Sequence, residues 1–494
     1  MQQWLPTVTQ PTAAHVHDAD APAFDSASLA ATVAGQVVQP TARPIRGAAV
    51  DSRKVEPGNA FFALPGERTD GHRHLTEAAA RGAAALVVTV APAPAELEQL
   101  GAAAGRAGRP AVVAVANGMA ALHSAAAAWR ARFDPLVVGV TGSIAKTSTK
   151  EQVAEVLCER FNVLRNHANE NNEIGLPLTL LRLAGEHEAA VLEMGMYVPG
   201  DIAMLAALAQ PKIGVVTAVR GTHLSRAGSI DAVERGKREL IEALPTGGTA
   251  VLNADDARVA RMAEALGGGV KVVSYGFAAT ADVRAAEIES RAEHGMRFRL
   301  LTRAGEAWVE SPALGRHSVH NALAGAAVGL AAGLDLAAVV RALARPHGAP
   351  HRTTLLDLGD WRVLDDSYNA APDSMVAALD LLASLPGRRV AVLGEMLELG
   401  DSSVEAHRAV GRHAAQRADL LLAVGPTAAE YALGAGAGGM DPGTVFEVAD
   451  REAAIATLLE LLLPGDVVLL KGSRGAQLDL LLPPLQAAAG AVGG

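Results

Sequence analysis

The sequence predicts an α/β protein with three domains, each built around a β-sheet of mainly parallel strands. Its 494 residues correspond to about three domains at roughly 150 residues each. Short apolar runs alternate with helical stretches along most of the chain, as in parallel sheets that are buried on both faces. One apolar run, at residues 136–140, leads through a loop of small residues into a helical pattern.

The N-terminal part of the chain predicts an extension followed by a small α/β domain. Residues 1–23 are polar and contain several Pro, His and Asp residues, so we expect a disordered extension. We expect the first domain over residues 24–130. The apolar runs 82–92 and 109–117 predict two of its strands, and Ala-rich segments predict its helices.

The central part predicts a parallel-sheet domain over residues 131–345, similar to a phosphate-loop ATPase. The runs 189–196, 211–219 and 248–256 have the length and apolar character of buried strands. The segment 283–314 alternates polar and apolar residues, which predicts two or three antiparallel strands.

The last part predicts a Rossmann-like α/β domain over residues 346–494. Its strands are expected within 389–396, 418–426 and 465–473, where apolar runs end in Gly. The Gly- and Ala-rich segment 433–439 predicts a flexible loop, because Gly is unfavourable inside a helix.

Charge and cysteine content exclude several classes of function. The net charge is −10 and no basic stripe stands out, which argues against nucleic acid as a partner. The single cysteine, Cys158, excludes an intramolecular disulfide and a thiolate metal cage; its position beside an apolar helix face predicts a buried, inert thiol.

No apolar run is long enough to cross a membrane, and no secretory signal stands at the N-terminus. We therefore expect a cytoplasmic protein without membrane insertion.

The segment PLVVGVTGSIAKTSTK, residues 135–150, has the layout of a phosphate-binding loop. Backbone N–H groups of such a loop and the positive end of the following helix dipole hold a polyphosphate. Lys146 would reach the β- and γ-phosphates, and the Thr147 hydroxyl would ligate Mg²⁺. Ala145 stands where such loops usually have Gly. An ordinary strand–turn–helix with a surface lysine remains an alternative at this point.

Three further polar residues of the central domain are candidates for the same site. Glu193 ends an apolar strand, and His223 follows another. Ligands bind beyond the carboxyl ends of strands in open α/β sheets. Lys237 lies in a helix expected from about residue 229 to 244. Each has a structural alternative: a capping acid, a structural histidine and a solvated surface lysine.

Ten separated motifs, in order from about residue 45 to residue 480, resemble those of the Mur ligases, ATP-dependent amide-forming enzymes of peptidoglycan assembly. NNEIGLP and DDSYNAAPDS are the more specific of them. The motifs are VDSRKVEPGNAFFALPGERTDGH, GVTGSIAKTSTKE, NENNEIGLPLTLL, VLEMGMYVPGDI, THLSRAGS, ERGKRELIEAL, LGRHSVHNALAGA, DDSYNAAPDSM, LGEMLELG and LLKGSRG.

The resemblance implies a particular reaction. Within the family, the chain is most similar to the branch that adds D-Ala-D-Ala to UDP-MurNAc-tripeptide, with release of ADP and phosphate. A substrate carboxylate would take the γ-phosphate of ATP to give an acyl phosphate, which the amine then attacks. The resemblance also implies two Mg²⁺ ions, a carbamylated Lys237 and a monomer, and it makes the first domain the UDP-substrate domain, with residues 66–72 shaping its pocket.

The resemblance also implies roles for individual residues. These are Lys146, Glu193, His223 and Lys237 in catalysis; Gly142, Ser143, Ala145, Lys146, Thr147, Ser148, Asn321, Arg352 and Asp366 in ATP binding; Ser52, Arg53, Asn171 and Asn172 in binding the UDP-linked substrate; and Thr147, Glu193, His223 and Lys237, the last as a carbamate, in holding Mg²⁺.

Several positions depart from the family pattern, although the charged groups at the expected site remain. We therefore expect an active enzyme with an altered nucleotide pocket. Two alternatives stay open: a Mur-like ligase for another carboxylate and amine, as in folylpolyglutamate or cyanophycin-type ligases, and a non-catalytic scaffold that binds the UDP-linked precursor. The departures are Ala145, Ala218 and Arg220 in the segment before His223, Ser318, His351, Ala371 and Glu395.

Overall fold

A computed structural model describes residues 22–66, 69–167, 169–221 and 228–492. The chain forms two compact units. One contains the described residues up to 134 together with 180–186, and the other contains the described residues of 135–179 and from 187 onward. The first unit holds one β-sheet and the second holds two. Residues 1–21 of the predicted extension lie outside the described residues. The predicted domain boundaries remain predictions.

The first unit has a five-stranded sheet in the order β1-β5-β4-β3-β2, in which only β1 is antiparallel to its neighbour. Its β4 strand is buried along its whole length, as expected for a central parallel strand. The elements are α1 Ser26–Thr32, β1 Gln36–Gln39, β2 Ala48–Ala49, β3 Ala60–Phe62, α2 Leu75–Ala80, β4 Ala85–Val88, α3 Pro94–Ala104, β5 Ala111–Ala114 and α4 Gly118–Arg130.

The first sheet of the second unit has nine strands in the order β14-β13-β12-β11-β10-β9-β6-β8-β7. Strands β6 to β12 are parallel, and β12, β13 and β14 form an antiparallel meander. The elements are β6 Leu136–Thr141, α5 Lys146–Leu157, β7 Val163–Arg165, α6 Gly175–Leu180, β8 Ala189–Glu193, α7 Asp201–Ala209, β9 Ile213–Val216, α8 Ile230–Glu242, β10 Thr249–Asn253, α9 Ala257–Ala260, β11 Lys271–Gly276, β12 Val283–Ser290, β13 Met296–Thr302, β14 Gly305–Ser311, α10 Arg316–Ala331 and α11 Leu336–Leu343.

Close packing of α5 against α10 positions residues of the later site. A Cβ atom on Gly329 would lie 2.5 Å from Cγ1 of Val156, and one on Gly325 would lie 2.9 Å from Cγ of Gln152. The two glycines therefore let α10 approach α5 closely, and both helices contribute to one aliphatic core with the sheet. As a result, the first turns of α10 lie beside the phosphate-loop helix.

The third sheet has six strands in the order β15-β16-β20-β17-β18-β19, and only β15 is antiparallel to its neighbour. Strands β17, β18 and β20 confirm the three predicted strands. The elements are β15 Thr354–Asp357, β16 Arg362–Asp365, α12 Pro372–Ser384, β17 Arg389–Gly394, α13 Ser403–Ala414, β18 Leu420–Val424, α14 Ala428–Ala437, β19 Val445–Val448, α15 Arg451–Leu461, β20 Val467–Lys471 and α16 Leu482–Val492.

The prediction of a flexible loop at residues 433–439 is wrong for its first five residues. They complete helix α14, which packs against α13. A Cβ atom on Gly434 would lie 2.1 Å from the carbonyl oxygen of Arg408, and one on Gly411 would lie 2.2 Å from that of Tyr431. Close approach of two helices, rather than flexibility, therefore explains these glycines.

The prediction of a buried Cys158 is also wrong. Helix α5 ends at Leu157, and Cys158 is the exposed residue that caps it. Partial desolvation nevertheless raises the pKa of the thiol, and neighbouring Glu155 raises it further. The thiol is therefore mostly protonated at neutral pH, but its exposure contradicts the burial on which the predicted inertness rested.

The remaining strand predictions are confirmed, including the antiparallel segment 283–314, which contains three strands. Within the described part of the chain, every helix is too short or too polar to cross a bilayer.

Candidate active site

The candidate site lies beyond the carboxyl ends of three adjacent strands, β8, β6 and β9. These strands are parallel neighbours, so their following loops meet at one edge of the sheet. The loops carry the phosphate-loop residues after β6, Glu193 at the end of β8, and residues 217–220 after β9.

The loop after β6 is fixed against the segment after β9 by close packing and hydrogen bonds. Gly142 has a φ of 155°, and a Cβ atom there would lie 1.8 Å from Oγ1 of Thr217. The same hydroxyl donates to the carbonyl of Ile144 (2.6 Å), and the Ser143 N–H donates to the carbonyl of Ala218 (2.8 Å). Only glycine fits at position 142, and these hydrogen bonds fasten the loop to the segment after β9.

Ala145 has a left-handed backbone, with φ 63° and ψ 6°. The sequence departs from Gly at this position, and the geometry shows why Gly would be favoured there. No side chain caps helix α5, which begins at Lys146. The N–H groups of its first turn, which includes Thr147 and Ser148, are therefore open to an anionic ligand.

Lys146 faces the loop and the end of strand β8. Its ammonium lies 3.4 Å from the carbonyl oxygen of Ser143. Burial lowers the pKa of Lys146, the nearby carboxylate of Glu193 opposes this shift, and Arg352 adds to it. Lys146, Glu193 and Arg352 therefore lie within electrostatic reach of one another.

Glu193 is buried, and one of its carboxylate oxygens has no hydrogen-bond partner. Its side chain is 2% exposed. Oε1 accepts a hydrogen bond from Nδ2 of Asn171 (2.7 Å), while Oε2 has no partner among the described residues. Asn166 fixes the backbone here, because its Oδ1 accepts from the Glu193 N–H (3.0 Å). A buried carboxylate with an unpaired oxygen is costly to desolvate and has the donor chemistry that Mg²⁺ prefers.

The two adjacent asparagines of NENNEIGLP have different surroundings. Asn171 contacts Glu193 directly, as described above. Asn172 accepts the backbone N–H groups of Ile174 and Gly175, at 3.3 and 2.9 Å, at the start of helix α6. The structure thus gives Asn172 a local capping contact, which neither supports nor opposes its predicted role with substrate.

Lys237 is buried on the inner side of helix α8. Its side chain is 2% exposed, which contradicts the alternative of a solvated surface lysine. Burial lowers the pKa of Lys237 well below its ordinary value, and the neighbouring charge of Lys146 lowers it further. The amine is therefore poised to lose its proton, which is the form that reacts with electrophiles.

The N-terminal half of helix α10 borders the site. Asn321 is buried, and its Oδ1 accepts from Oγ1 of Thr149 on helix α5 (3.0 Å). Ser318, where the resemblance favours Asn, donates to the carbonyl of Gly315 (2.8 Å) in the first turn of its own helix. Burial lowers the pKa of His317, with Asp366 opposing the shift, so this imidazole is neutral at pH 7.

Residues from the third sheet also reach this site. The Arg352 guanidinium stacks on the ring of Tyr368, 4.2 Å from its centroid. Burial raises the pKa of Tyr368, Arg352 opposes the shift, and Glu193 adds to it. A second guanidinium, that of Arg474, lies 6.0 Å from the centroid of the Tyr368 ring. The Arg352 side chain of the C-terminal part therefore lies within electrostatic reach of Glu193 and Lys146.

Asp366 lies just beyond β16 and is paired before any nucleotide binds. It forms an ion pair with the buried ammonium of Lys471, and its Oδ1 accepts the Thr353 N–H (3.1 Å). His351, where the resemblance favours Gly, has a left-handed backbone with φ 60°. Its Nδ1 contacts Oδ2 of Asp365 at 2.7 Å, which offsets part of that strain.

The residues predicted for the UDP-linked substrate lie in the first unit. Ser52 is buried, and its hydroxyl donates to Oε2 of Glu77 (2.6 Å). Arg53 is exposed and forms a bidentate pair with Asp51, at 2.9 and 2.8 Å. This pairing lowers the pKa of Asp51 to about 2. Of residues 66–72, the structure describes all but residues 67 and 68.

His223 lies outside the described residues, so its predicted role stays a prediction. No cluster of three or more His, Cys, Asp or Glu side chains suited to a metal occurs in the part of the chain that is described. The free oxygen of Glu193 and the hydroxyl of the buried Thr147 fit a Mg²⁺ site that also uses ligand phosphates and water, and Lys237 would add an oxygen ligand only as a carbamate.

Four residues at the site were missed by the sequence reasoning: Asn166, Thr217, Tyr368 and Lys471. Each lies inside a quoted motif or directly beside a strand end, but its role depends on a partner far away in sequence. Only Lys471 carried a signal of its own, as a charged residue at the end of an otherwise apolar strand.

Three domain families match the chain. The Mur ligase family catalytic domain matches residues 44–163, the Mur ligase middle domain matches residues 140–329, and the Mur ligase glutamate ligase domain matches residues 351–474.

Relatives and solved structures agree with these matches. The chain is 38% identical to the UDP-N-acetylmuramoyl-tripeptide–D-alanyl-D-alanine ligase of Mycobacterium tuberculosis, over 88% of this chain and 91% of the relative. The crystal structure of MurF from Acinetobacter baumannii superposes with a TM-score of 0.83 at 30% identity, covering 94% of this chain and 99% of that one. MurF from Thermotoga maritima in complex with ADP gives 0.77 at 25% identity, covering 90% and 98%. The chain belongs to the Mur ligase family.

Proposed function

We propose that the chain is an ATP-dependent ligase that joins D-Ala-D-Ala to UDP-MurNAc-tripeptide in peptidoglycan precursor synthesis. The observation that carries this proposal is the convergence of Lys146, Glu193 and Lys237 at the end of the phosphate loop. The relatives named for this reaction, matched over about nine tenths of their length, supply the substrate pair.

ATP binding is proposed at the loop after β6. The N–H groups at the uncapped start of α5 and the Lys146 ammonium would receive the β- and γ-phosphates. Asn321 uses its oxygen to accept from Thr149, so its amide donors would face adenine. Asp366 would accept from the ribose hydroxyls, sharing its carboxylate with Lys471. The T. maritima MurF structure that this chain resembles contains ADP.

The first chemical step is proposed as attack of the tripeptide carboxylate on the γ-phosphate. A new O–P bond forms, the bond to the β-phosphate oxygen breaks, and ADP leaves. Both reactants are anionic, so their approach must be neutralised. Lys146 supplies one positive charge, and Arg352, held by Tyr368, supplies another from the C-terminal part.

Mg²⁺, held by Thr147, Glu193, His223 and carbamylated Lys237, would supply further neutralisation of phosphate charge. Glu193 has the unpaired oxygen that such a role requires. Asn171 orients this carboxylate by donating to its other oxygen, so we propose that Asn171 acts through Glu193.

Carbamylation of Lys237 is proposed on the basis of its surroundings. Burial and the charge of Lys146 lower its pKa, which favours the neutral amine. A neutral amine adds to CO₂ and releases one proton, giving a carbamate anion. The carbamate places an anion beside the Lys146 cation, so the two groups attract each other.

In the second step, the amine of D-Ala-D-Ala would attack the acyl phosphate, and inorganic phosphate would leave as the amide forms. Water must be kept away from the acyl phosphate until the amine arrives, and closure of the domains would exclude it. The uridine diphosphate is proposed to contact Ser52 and Arg53, and the enzyme is proposed to act as a monomer in the cytoplasm.

Phosphate release from Mg-ATP tests the proposal. We expect release only when UDP-MurNAc-tripeptide and D-Ala-D-Ala are both present, with the pentapeptide product detected by mass spectrometry. Release with the first substrate and a different amine would favour a ligase for another substrate pair. UDP-precursor binding without phosphate release in any combination would favour the scaffold and contradict the proposal.

A further inference from the structure

Arg220 joins the central sheet to the C-terminal part of the second unit. It lies in the segment after β9, where the resemblance favours Gly. Its guanidinium forms an ion pair with Asp256, at the start of helix α9. The Nε atom donates to Oδ2 of Asp373, in the first turn of α12, at 2.7 Å. One side chain therefore bridges the starts of two helices, one following β10 of the nine-stranded sheet and the other following β16 of the six-stranded sheet.

The two carboxylates differ in how firmly each is held. Asp256 is buried, and its oxygens also accept the backbone N–H groups of Val219 (2.9 Å) and Arg258 (3.0 Å). It forms a fixed anchor for the guanidinium. Asp373 is 54% exposed and pairs only with Arg220 among the ion pairs of the described residues. The bond to Asp373 is therefore the one that can open.

The backbone of Arg220 is bonded to the phosphate loop itself. Its N–H donates to Oγ of Ser143 at 2.9 Å, and the same hydroxyl donates to the Arg220 carbonyl at 3.1 Å. Ser143 is thus held from both sides by one residue. A shift of the Arg220 backbone would therefore reach the loop through these two hydrogen bonds.

Docking of the C-terminal part matters for the nucleotide because it brings Arg352 towards Lys146. Arg352, stacked on Tyr368, adds a second positive charge within electrostatic reach of Lys146. Like charges favour separation unless an anion lies between them. The Arg220–Asp373 ion pair is an attractive contact between the same two parts of the unit and opposes this repulsion together with the carboxylate of Glu193.

We propose that Arg220 is a positioning residue that couples docking of the C-terminal part, through Asp373, to the shape of the phosphate loop, through Ser143. Asp256 holds the guanidinium in place for both contacts. The inference rests on the proposed function for its kinetic consequence, but its structural consequence is independent of activity.

The kinetic test uses Arg220→Gln, Asp373→Asn and the double variant. Loss of a half-exposed ion pair weakens docking, so we expect each single change to raise KM for ATP by up to about fivefold, with kcat changed less than KM. The double variant should resemble the single variants, because both break one contact. Arg220→Lys keeps the charge and should recover part of the affinity.

A matched control is Arg389→Gln. Arg389 forms a bidentate pair with Asp419, at 2.9 and 2.6 Å, and its exposure is similar to that of Arg220, but both partners lie within the C-terminal sheet. Its loss should leave KM for ATP unchanged. The proposal would be overturned if the rises in KM for ATP caused by Arg220→Gln and Asp373→Asn multiplied in the double variant. An equal rise in KM in the Arg389→Gln control would overturn it as well.

The structural test measures a distance rather than a rate. Cys158 is the single cysteine and is exposed, so one spin label goes there and a second on Glu460→Cys, an exposed position in α15. We expect the docked distance to dominate without nucleotide, and in Asp373→Asn a second population, with the docked-to-undocked ratio lowered by up to about fivefold. An unchanged distribution in Asp373→Asn would refute the coupling even if the enzyme were inactive with every substrate.

Discussion

Replacement of Ala145 with glycine should stabilise the protein. Ala145 has φ 63° and ψ 6°, a left-handed conformation that costs a residue with a Cβ atom about 1–2 kcal/mol. Glycine removes this cost, but its greater conformational entropy in the unfolded chain lowers the free energy of unfolding by about 0.5–1 kcal/mol. The expected net gain in the free energy of unfolding is about 0.5–1 kcal/mol.

Thermal unfolding without nucleotide measures this gain. For a domain of about 200 residues, the gain corresponds to a rise in Tm of about 1–4 °C. The control is Ala243→Gly, an exposed position at the end of α8 with a right-handed φ of −81°. There the same substitution should lower stability by about 0.5–1 kcal/mol.

The sign of the change in Tm caused by Ala145→Gly tests whether the backbone at position 145 is strained. A Tm below that of the unmodified chain, or a loss equal to that of Ala243→Gly, would refute the inference that position 145 is strained. Affinity for ATP should change only modestly, because the N–H groups of the loop keep their directions. A large gain in affinity would instead show that the methyl group obstructs a phosphate.

Three other substitutions test separate parts of the account. Gly434→Ala should lower the stability of the C-terminal part by about 1–3 kcal/mol, because its Cβ would lie 2.1 Å from a backbone carbonyl; Gly436→Ala, where nothing lies within 4 Å, should not, and equal effects would disprove the packing argument. Lys237→Met should reduce phosphate release about 100-fold or more, and near-normal release would contradict its role. Glu193→Gln should reduce release to a similar extent without lowering Tm, because it removes an unpaired buried carboxylate oxygen; a lower Tm would show that this carboxylate is structural.

Lys237 also predicts a pH dependence of stability. Its pKa in the folded protein is lowered well below 10.5, so between the lowered value and 10.5 the unfolded chain binds more protons than the folded one. The free energy of unfolding should therefore rise with pH across this window. Lys237→Met should remove this contribution to the slope in apo protein prepared without CO₂. An identical slope in both proteins would contradict the pKa shift.

Much of the fold was predictable because strand ends and helix starts leave local signals. The apolar runs before Glu193 and Lys146 end where the structure ends β8 and β6. The strained backbones at Ala145 and His351 were visible only as departures from a Gly in the family pattern. Composition failed at Gly434, since a glycine at a helix contact and a glycine in a loop look alike in one sequence.

The partners of the site residues could not be predicted in the same way. The sequence gives no sign that Asn171 contacts Glu193, that Lys471 pairs with Asp366, or that Arg220 bridges helices that follow strands of two different sheets. Each contact joins segments that are distant in the chain and are brought together only by the strand order. Long-range packing, rather than local propensity, sets these geometries.

Isotope transfer tests the central claim of an acyl-phosphate ligase most directly. UDP-MurNAc-tripeptide labelled with ¹⁸O in its reacting carboxylate is incubated with Mg-ATP, D-Ala-D-Ala and the unmodified protein, and the released phosphate is analysed by mass spectrometry. The account predicts one ¹⁸O atom in each phosphate released with pentapeptide, because a carboxylate oxygen leaves with the phosphoryl group. Amide formation with unlabelled phosphate would contradict it.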